Sequence, residues 1–290
     1  MSDKRIIGVD IGGTKISMGI VENGEVIKRH RINTPATEAK EVVVEALIAA
    51  LHELREDADI AGIGIGVPGL LDEKEGVVYD LINIPSWDEV FLAKAVREAT
   101  GLEVYLTNDA NCFALGEKCY GQGRQYESFV GITLGTGLGA GFIINGQVHA
   151  GLVSAAGELA LIPYLKHHYE YYCSGQFFEN EFNVTGQQVY ERAQQGDPLA
   201  LGYYEQYGQH VGSLMKSLLQ ILSPEAFLIG GSIKDAFAYF EQSMWKEIRT
   251  YPYKRVLDRL VVARSEMDDI ALLGAAALFQ MRSPEMALSL

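Results

Sequence analysis

The chain has 290 residues and a formal charge of −14, from 24 Lys and Arg against 38 Asp and Glu. Nucleic-acid binding normally needs a basic stripe to displace phosphate counterions, so this balance excludes that class and argues equally against an anionic membrane surface. With 48% hydrophobic and 21% charged residues the chain can bury a large core, as one big domain or two compact lobes.

No basic segment followed by an apolar one opens the sequence, and no apolar run approaches the roughly 18 residues of a membrane span, so a cytoplasmic protein is expected. Cys112, Cys119 and Cys173 lack a CxxC pair and are read as reduced structural thiols. Ile6 to Asp10 reads as a strand ending in Asp10-Ile11-Gly12-Gly13-Thr14-Lys15. Ile16 to Val21 resumes it, and Asn23-Gly24 signals a hairpin into Glu25-Val26-Ile27. From Thr37 the period becomes helical, with Val43, Val44, Leu47, Ile48, Leu51 and Leu54 on one face. Ala61 to Val67 reads as a buried strand. Ser86-Trp87-Asp88-Glu89 has the form of a capping box and predicts a helix opening there and stopping near Gly101. A strand from Val104 to Thr107 meets Asn108-Asp109, which can cap the helix that follows. A long Tyr-rich helical region is predicted over 187–222, stopped by Ser223-Pro224. A strand from Ala226 to Ile229 enters Gly230-Gly231-Ser232, and a helix over 234–248, a strand over 260–263 and an apolar helix over 270–281 complete the pattern.

Sliding the chain against itself by about 122 residues superposes two hairpins. Gly13 and Thr14 fall on Gly135 and Thr136, Gly19 on Gly141, Asn23-Gly24 on Asn145-Gly146, and Val26 on Val148. Two related lobes with a cleft between them are expected. Gly64-Ile65-Gly66-Val67-Pro68-Gly69 matches GxGxxG in form. A dinucleotide site requires a helix to start at once, whereas Leu70 to Gly76 reads as a charged turn, so that site is rejected. The tips Asp10 to Lys15 and Leu134-Gly135-Thr136-Gly137-Leu138-Gly139 suit another design, in which backbone N–H groups and threonine hydroxyls approach phosphate oxygens from both sides of a cleft. Asp10 could hold Mg²⁺ through water. Gly230-Gly231 fits a further close approach, to an adenosine, with Leu273 to Ala276 as its other wall; the alternative readings are a strand-to-helix turn and a small-residue helix contact. Asp109, where a strand gives way to a helix, could take the proton of an attacking hydroxyl, with Asn108 orienting it; Glu117 is read as structural. The alternative reading of Asn108-Asp109 is a helix N-cap pair.

These residues resemble the ROK family of bacterial sugar kinases and sugar-responsive repressors, within the actin-like ATPase superfamily. The resemblance rests on Asp10 to Lys15, Gly64 to Gly69, Asn83 with Trp87, Asn108-Asp109-Ala110-Asn111 with Gly116-Glu117, Thr133 to Gly139, Ala156-Gly157-Glu158 and Gly230-Gly231. It implies an α/β, two-lobed actin-like ATPase (ribonuclease H-like) fold with an interlobe cleft. The lobes would be residues 1–107, joined by a C-terminal helix over about 277–290, and residues 108–276. It further implies an ATP-dependent kinase for a hexose or N-acetylhexosamine, glucokinase-like, with Mg²⁺. Asp109 would be the general base, and Asn83, Asn108, Glu158, Glu170 and Gly69 would meet the sugar. Gly12, Gly13, Thr14, Lys15, Thr133, Gly135, Thr136, Gly137, Gly230 and Gly231 would meet the nucleotide. A homodimer is a family-level expectation.

Two departures bear on the sugar. The family carries Gly-Glu-x-Gly-His and then a cysteine-rich zinc loop, where this chain reads Gly157-Glu158-Leu159-Ala160-Leu161 and then Ile162 to Glu170. The family histidine is Leu161 here, no structural zinc is expected, and the family's turn matched to Cys173-Ser174-Gly175 puts its sugar-binding acid at Glu170. Tyr169, Tyr171 and Tyr172 are read as lining a lobe interface. A catalytically weak sugar-binding regulator of the same fold is the alternative. Only residues 1–9 precede Asp10, where the family's repressors carry a basic DNA-binding module.

Overall fold

Turn chemistry builds the first hairpin. β1 (Arg5–Ile11) and β2 (Lys15–Glu22) pair antiparallel, and Asn23 and Gly24, at φ of 52° and 81°, turn the chain into β3 (Glu25–Asn33). That turn needs both central residues at positive φ, which Asn-Gly adopts at little steric cost. The computed structural model describes residues 4–56 and 58–283. Helix α1 (Lys40–Arg55) buries Val43, Leu47, Leu51 and Leu54, and β4 (Ile60–Val67) then joins β1 in parallel. β5 (Leu70–Asp72), β6 (Val77–Tyr79) and β7 (Glu89–Val90) form a small separate sheet. Helix α2 (Leu92–Thr100) ends at a left-handed Gly101, and β8 (Glu103–Asn108) completes a five-stranded sheet of order β3-β2-β1-β4-β8.

The capping box at Ser86 to Glu89 does not open a helix. Glu89 and Val90 pair with Tyr79 and Val78, and α2 starts only after Phe91, without a side-chain cap. Trp87 is fully buried beside this pairing, and its burial overrides the local signal.

The second half repeats the first strand for strand. After α3 (Asp109–Cys119) come β9 (Phe129–Leu134) and β10 (Leu138–Ile144), then an Asn145-Gly146 turn at φ of 52° and 76° into β11 (Gln147–Val148). An excursion follows through β12 (Pro163–Tyr164), β13 (His167–His168), α4 (Tyr169–Cys173), α5 (Gln176–Phe182), α6 (Gly186–Gln194) and α7 (Pro198–Ile221). The single helical region expected over 187–222 is therefore two helices. Gly196 sits at φ 76°, Asp197 caps Leu199 N–H at 2.9 Å, and Pro198 opens α7, a start signal placed inside the run. β14 (Ala226–Gly230), a short 3₁₀ turn, α8 (Phe237–Ile248), α9 (Lys254–Leu257) and β15 (Val261–Arg264) lead to α10 (Ile270–Arg282). The second sheet has the order β11-β10-β9-β14-β15, which maps onto the first.

The two halves exchange helices. α3 follows the first sheet but packs mainly on β9 and β10 of the second, whereas α10 follows the second and packs on β1, β4 and β8 of the first. Where α3 and α10 cross, a Cβ at Gly116 would overlap the Ile270 carbonyl, and one at Gly274 the Cys112 carbonyl. The glycines of β4, two of them from the GxGxxG run, serve the packing of the same two helices. Cβ atoms at Gly62 and Gly64 would overlap the Phe279 ring and the Ala275 carbonyl, and one at Gly66 would lie 2.9 Å from Cys112 Sγ. Leu273, Ala275 and Ala276 are buried in this packing, so the 273–276 segment is a helix contact and not a wall for adenosine. Among the described residues no helix is long and apolar enough to cross a membrane.

Candidate active site

Parallel strands deliver their carboxyl ends to one edge, where open α/β sheets place ligands. Asp10 lies opposite Ser17 on β2 and Gly66 on β4, and Val67 lies opposite Asn108 at the end of β8. Asp109 is the next residue and the first of α3. Burial, then the charge of Asp109, pushes the Asp10 carboxyl up to about 6, with Lys15 acting in the opposite sense. Burial likewise holds Asp109 above the usual carboxylate range, opposed by hydrogen bonds at the helix start, where Ala110 N–H donates to its Oδ1 at 2.8 Å.

Asn108 does cap α3, its Oδ1 accepting from Ala110 N–H at 2.9 Å, while its Nδ2 donates to the Gly69 carbonyl at 3.2 Å. The cap and ligand readings are compatible, since a carboxamide has two donor hydrogens and two acceptor lone pairs, so capacity remains on both atoms. Asn83 is exposed beside the first hairpin tip, where a Cβ at Gly13 would lie 2.6 Å from its own Cβ. Glu170 reaches the second tip, its Oε2 accepting from Leu138 N–H at 3.0 Å and lying where a Cβ at Gly137 would come within 2.7 Å. Glu158 is held above the usual range by partial burial first, then by Asp109 and Glu170. The expected acids are thus mutual neighbours, running Asp10, Asp109, Glu158, Glu170.

Both tips are braced from outside. Thr34 Oγ1 donates to the Gly12 carbonyl at 2.6 Å and Thr34 N–H to the Thr14 carbonyl at 3.0 Å, leaving Thr14 and Lys15 exposed. At the second tip Gly175 N–H donates to the Gly135 carbonyl at 2.7 Å and Gln176 Nε2 to the Thr136 carbonyl at 3.2 Å. Thr133 Oγ1 lies 2.7 Å from a Cβ position at Gly139. Next to this tip opens a cavity of about 460 Å³ lined by Gly135, Thr136, Gly175, Gln176, Gly186, Gln187, Tyr190, Ser232 and Ile233, among others. Sequence reasoning missed the 175–190 wall. Its one local signal is the capping box of Thr185 and Gln188 that opens α6.

Gly230 and Gly231 do not line that cavity but a smaller one of about 270 Å³, with Phe113, Lys234 and Met267. Their absent side chains make room for the Phe113 ring and the Leu134 carbonyl, and Gly231 sits at φ 80°. Glu117 is structural as expected, buried and accepting from Ser265 Oγ at 2.5 Å and Gln122 N–H at 2.9 Å.

The segment in place of the cysteine loop is aromatic. Tyr164 stacks on Tyr169 at 4.3 Å and its hydroxyl lies 3.2 Å from His210 Nδ1, while Leu161 is 71% exposed. Tyr169 and Tyr172 belong to the core of the second half, with Tyr171 packed against it, so these tyrosines do not line an interface between lobes. The reason is that the 162–173 segment folds back on α7. Among the described residues no group of three or more His, Cys, Asp and Glu is arranged to hold a metal ion.

A sequence model of the ROK family matches residues 6–282. The chain is 32% identical over 263 residues to a glucokinase of Streptomyces coelicolor, covering 79% of this chain and 82% of that one. It is 28% identical to an N-acetyl-D-glucosamine kinase of Pasteurella multocida, over 94% of this chain and 98% of the relative. The crystal structure of a ROK family glucokinase from Streptomyces griseus in complex with glucose and AMPPNP matches with a TM-score of 0.80 at 28% identity, covering 94% of this chain and 98% of that one.

Proposed function

The chain belongs to the ROK family, with its two-lobed actin-like ATPase fold, and from that premise we propose that it is an ATP-dependent kinase for a hydroxyl of a hexose or N-acetylhexosamine. The observation that carries the reading is the position of Asp109, at a strand end between two glycine-threonine hairpins and beside the acid pair Glu158 and Glu170. In this reading Asp109 takes the proton of the sugar hydroxyl as its oxygen bonds to the γ-phosphorus and the bond to the bridging oxygen breaks, releasing ADP. A carboxylate held above its ordinary range is a better match for that transfer at neutral pH. Asn83, Asn108, Gly69, Glu158 and Glu170 hold the sugar. Gly12 to Lys15 and Thr133 to Gly137 approach the phosphates, and the cavity at Gly135 and Ser232 takes the nucleoside.

The chemistry of Asp10 and Asp109 fits Mg²⁺, which takes few protein ligands and keeps much of its water. The charge of Asp109 pushes the Asp10 carboxyl up, a repulsion that a dication would relieve, and Asp10 would hold it through water. The metal would neutralise phosphate charge as it develops. The lobe boundary is proposed at 107/108, one residue before β8 ends, with the chain from 277 counted with the first lobe; residues 284–290 lie outside the described residues. A cytoplasmic homodimer is proposed on the family resemblance.

An ADP-release screen over glucose, fructose, mannose, N-acetylglucosamine and N-acetylmannosamine tests the reading. Sugar-dependent ADP release is expected. ATP hydrolysis indifferent to sugar, or sugar binding by calorimetry without turnover, would replace it with an ATPase or with the regulator alternative.

A further inference from the structure

One largely buried carboxylate outside the acid chain ties together two of the segments that carry it. Glu73 lies in the turn after β5, with its side chain only 13% exposed. Its Oε1 accepts from Thr107 Oγ1 at 2.5 Å and from Ser154 Oγ at 2.9 Å, and its Oε2 pairs with the guanidinium of Arg282. Each donor comes from a different element, and two of them from segments that bear site acids. Thr107 is in β8, two residues before Asp109, and also accepts from Asn111 Nδ2 at 3.3 Å, so the bond chain continues into the first turn of α3. Ser154 ends the turn that leads to Glu158, and Arg282 is the last residue of α10.

The turn at Ser154 needs such an anchor. Val153 and Ser154 sit at φ of 44° and 56°, the left-handed region that L side chains, above all β-branched ones, adopt only when their surroundings impose it. Ser154 is 2% exposed, so its hydroxyl has no access to water as an alternative partner.

We propose that Glu73 is a positioning residue that fixes the strand end bearing Asp109 against the turn bearing Glu158, and so sets the geometry of the sugar subsite. It touches neither substrate nor the reacting atoms. The inference rests on the kinase reading above, and one of its two readouts needs no substrate.

The first readout is steady-state kinetics of Glu73→Ala and Ser154→Ala. Loss of one or more buried hydrogen bonds at the sugar side should raise the KM for sugar about tenfold and lower kcat severalfold, leaving the KM for ATP within about twofold. Glu73→Gln keeps an acceptor for Thr107 and Ser154 and should recover part of the loss. The second readout is amide hydrogen exchange of the ligand-free protein. Exchange in Glu73→Ala should speed up in both 105–112 and 150–160, and Ser154→Ala, the milder change, should do so in 150–160. A lower Tm with both KM values unchanged overturns the positioning role, as does unchanged exchange in the two segments. Faster exchange in both, in a protein whose parent phosphorylates no sugar, upholds the clasp and rejects the kinase reading.

Discussion

At Asp10 the sign of the pKa shift makes two separate expectations. The folded carboxyl titrates at about 6 against an ordinary 3.8, so between those values the folded chain binds the proton that the unfolded chain has released. Stability contributed by this group is therefore greatest in acid and falls as pH rises through that window. Asp10→Asn should accordingly melt higher than the parent at pH 7.5, with the gap closing below about pH 4, while losing turnover; scanning fluorimetry across pH checks the first part. Turnover of the parent should fall below about pH 6 as Asp10 is protonated, and the midpoint should move to lower pH when Mg²⁺ is raised. Asp109→Asn should cut turnover on the order of 10²-fold or more with sugar affinity by calorimetry largely intact. An unimpaired rate would remove Asp109 from the base role. Asp10 and Asp109 were legible from glycine-rich and strand-end motifs read locally, whereas Glu158 and Glu170 were expected only from the family resemblance; the structure brings the four acids together. Tyr169 and Tyr172 were not legible: whether a tyrosine faces a neighbouring lobe or its own core depends on where the whole 162–173 segment folds, and nothing in five residues encodes that.

Elements were legible to the extent that their signals were local and uncontested. Both Asn-Gly turns, the strands they join, and the helix stop at Gly101 follow from backbone sterics that act within a few residues. Ser86 to Glu89 carried an equally local signal, but Trp87 had more to gain by burial than the helix by an early start. The long helical region was misjudged in the opposite way, since Gly196-Asp197-Pro198 is a strong punctuation that apolar periodicity on either side conceals. The 175–190 wall of the 460 Å³ cavity left only a capping box to read, because its meaning comes from contact with a hairpin tip some forty residues away. At Gly231 an added methyl group meets two penalties, a left-handed φ of 80° and the Leu134 carbonyl. Gly231→Ala should lower stability by about 2 kcal/mol or more in urea unfolding. It should also raise the KM for ATP, as Ser232 shifts at the cavity edge.

For the whole molecule, the formal charge of −14 sits beside a proposed site for a polyanionic nucleotide. Net charge governs solubility and long-range steering, whereas a metal-bound triphosphate is held by backbone N–H groups and helix ends that a count of side chains omits. The repeat was legible as two hairpins, yet its full extent, five strands against five, was not, because the 149–225 excursion replaces what a single helix, α1, does in the first half. Least legible was the exchange of α3 and α10, which depends on packing partners far apart in the chain. That exchange has a consequence for any attempt to take the molecule apart. Residues 1–107 made alone would present a sheet with one face bare, and residues 108–290 would carry the missing cover, α10, with Leu273, Ala276 and Phe279 turned to water. Each fragment should aggregate or bind a hydrophobic dye when expressed singly, and the two expressed together should find each other and restore a soluble, cooperatively melting complex. The cut between the halves falls in the middle of a shared interior, and the nominal boundary is where the two fragments would recognise one another.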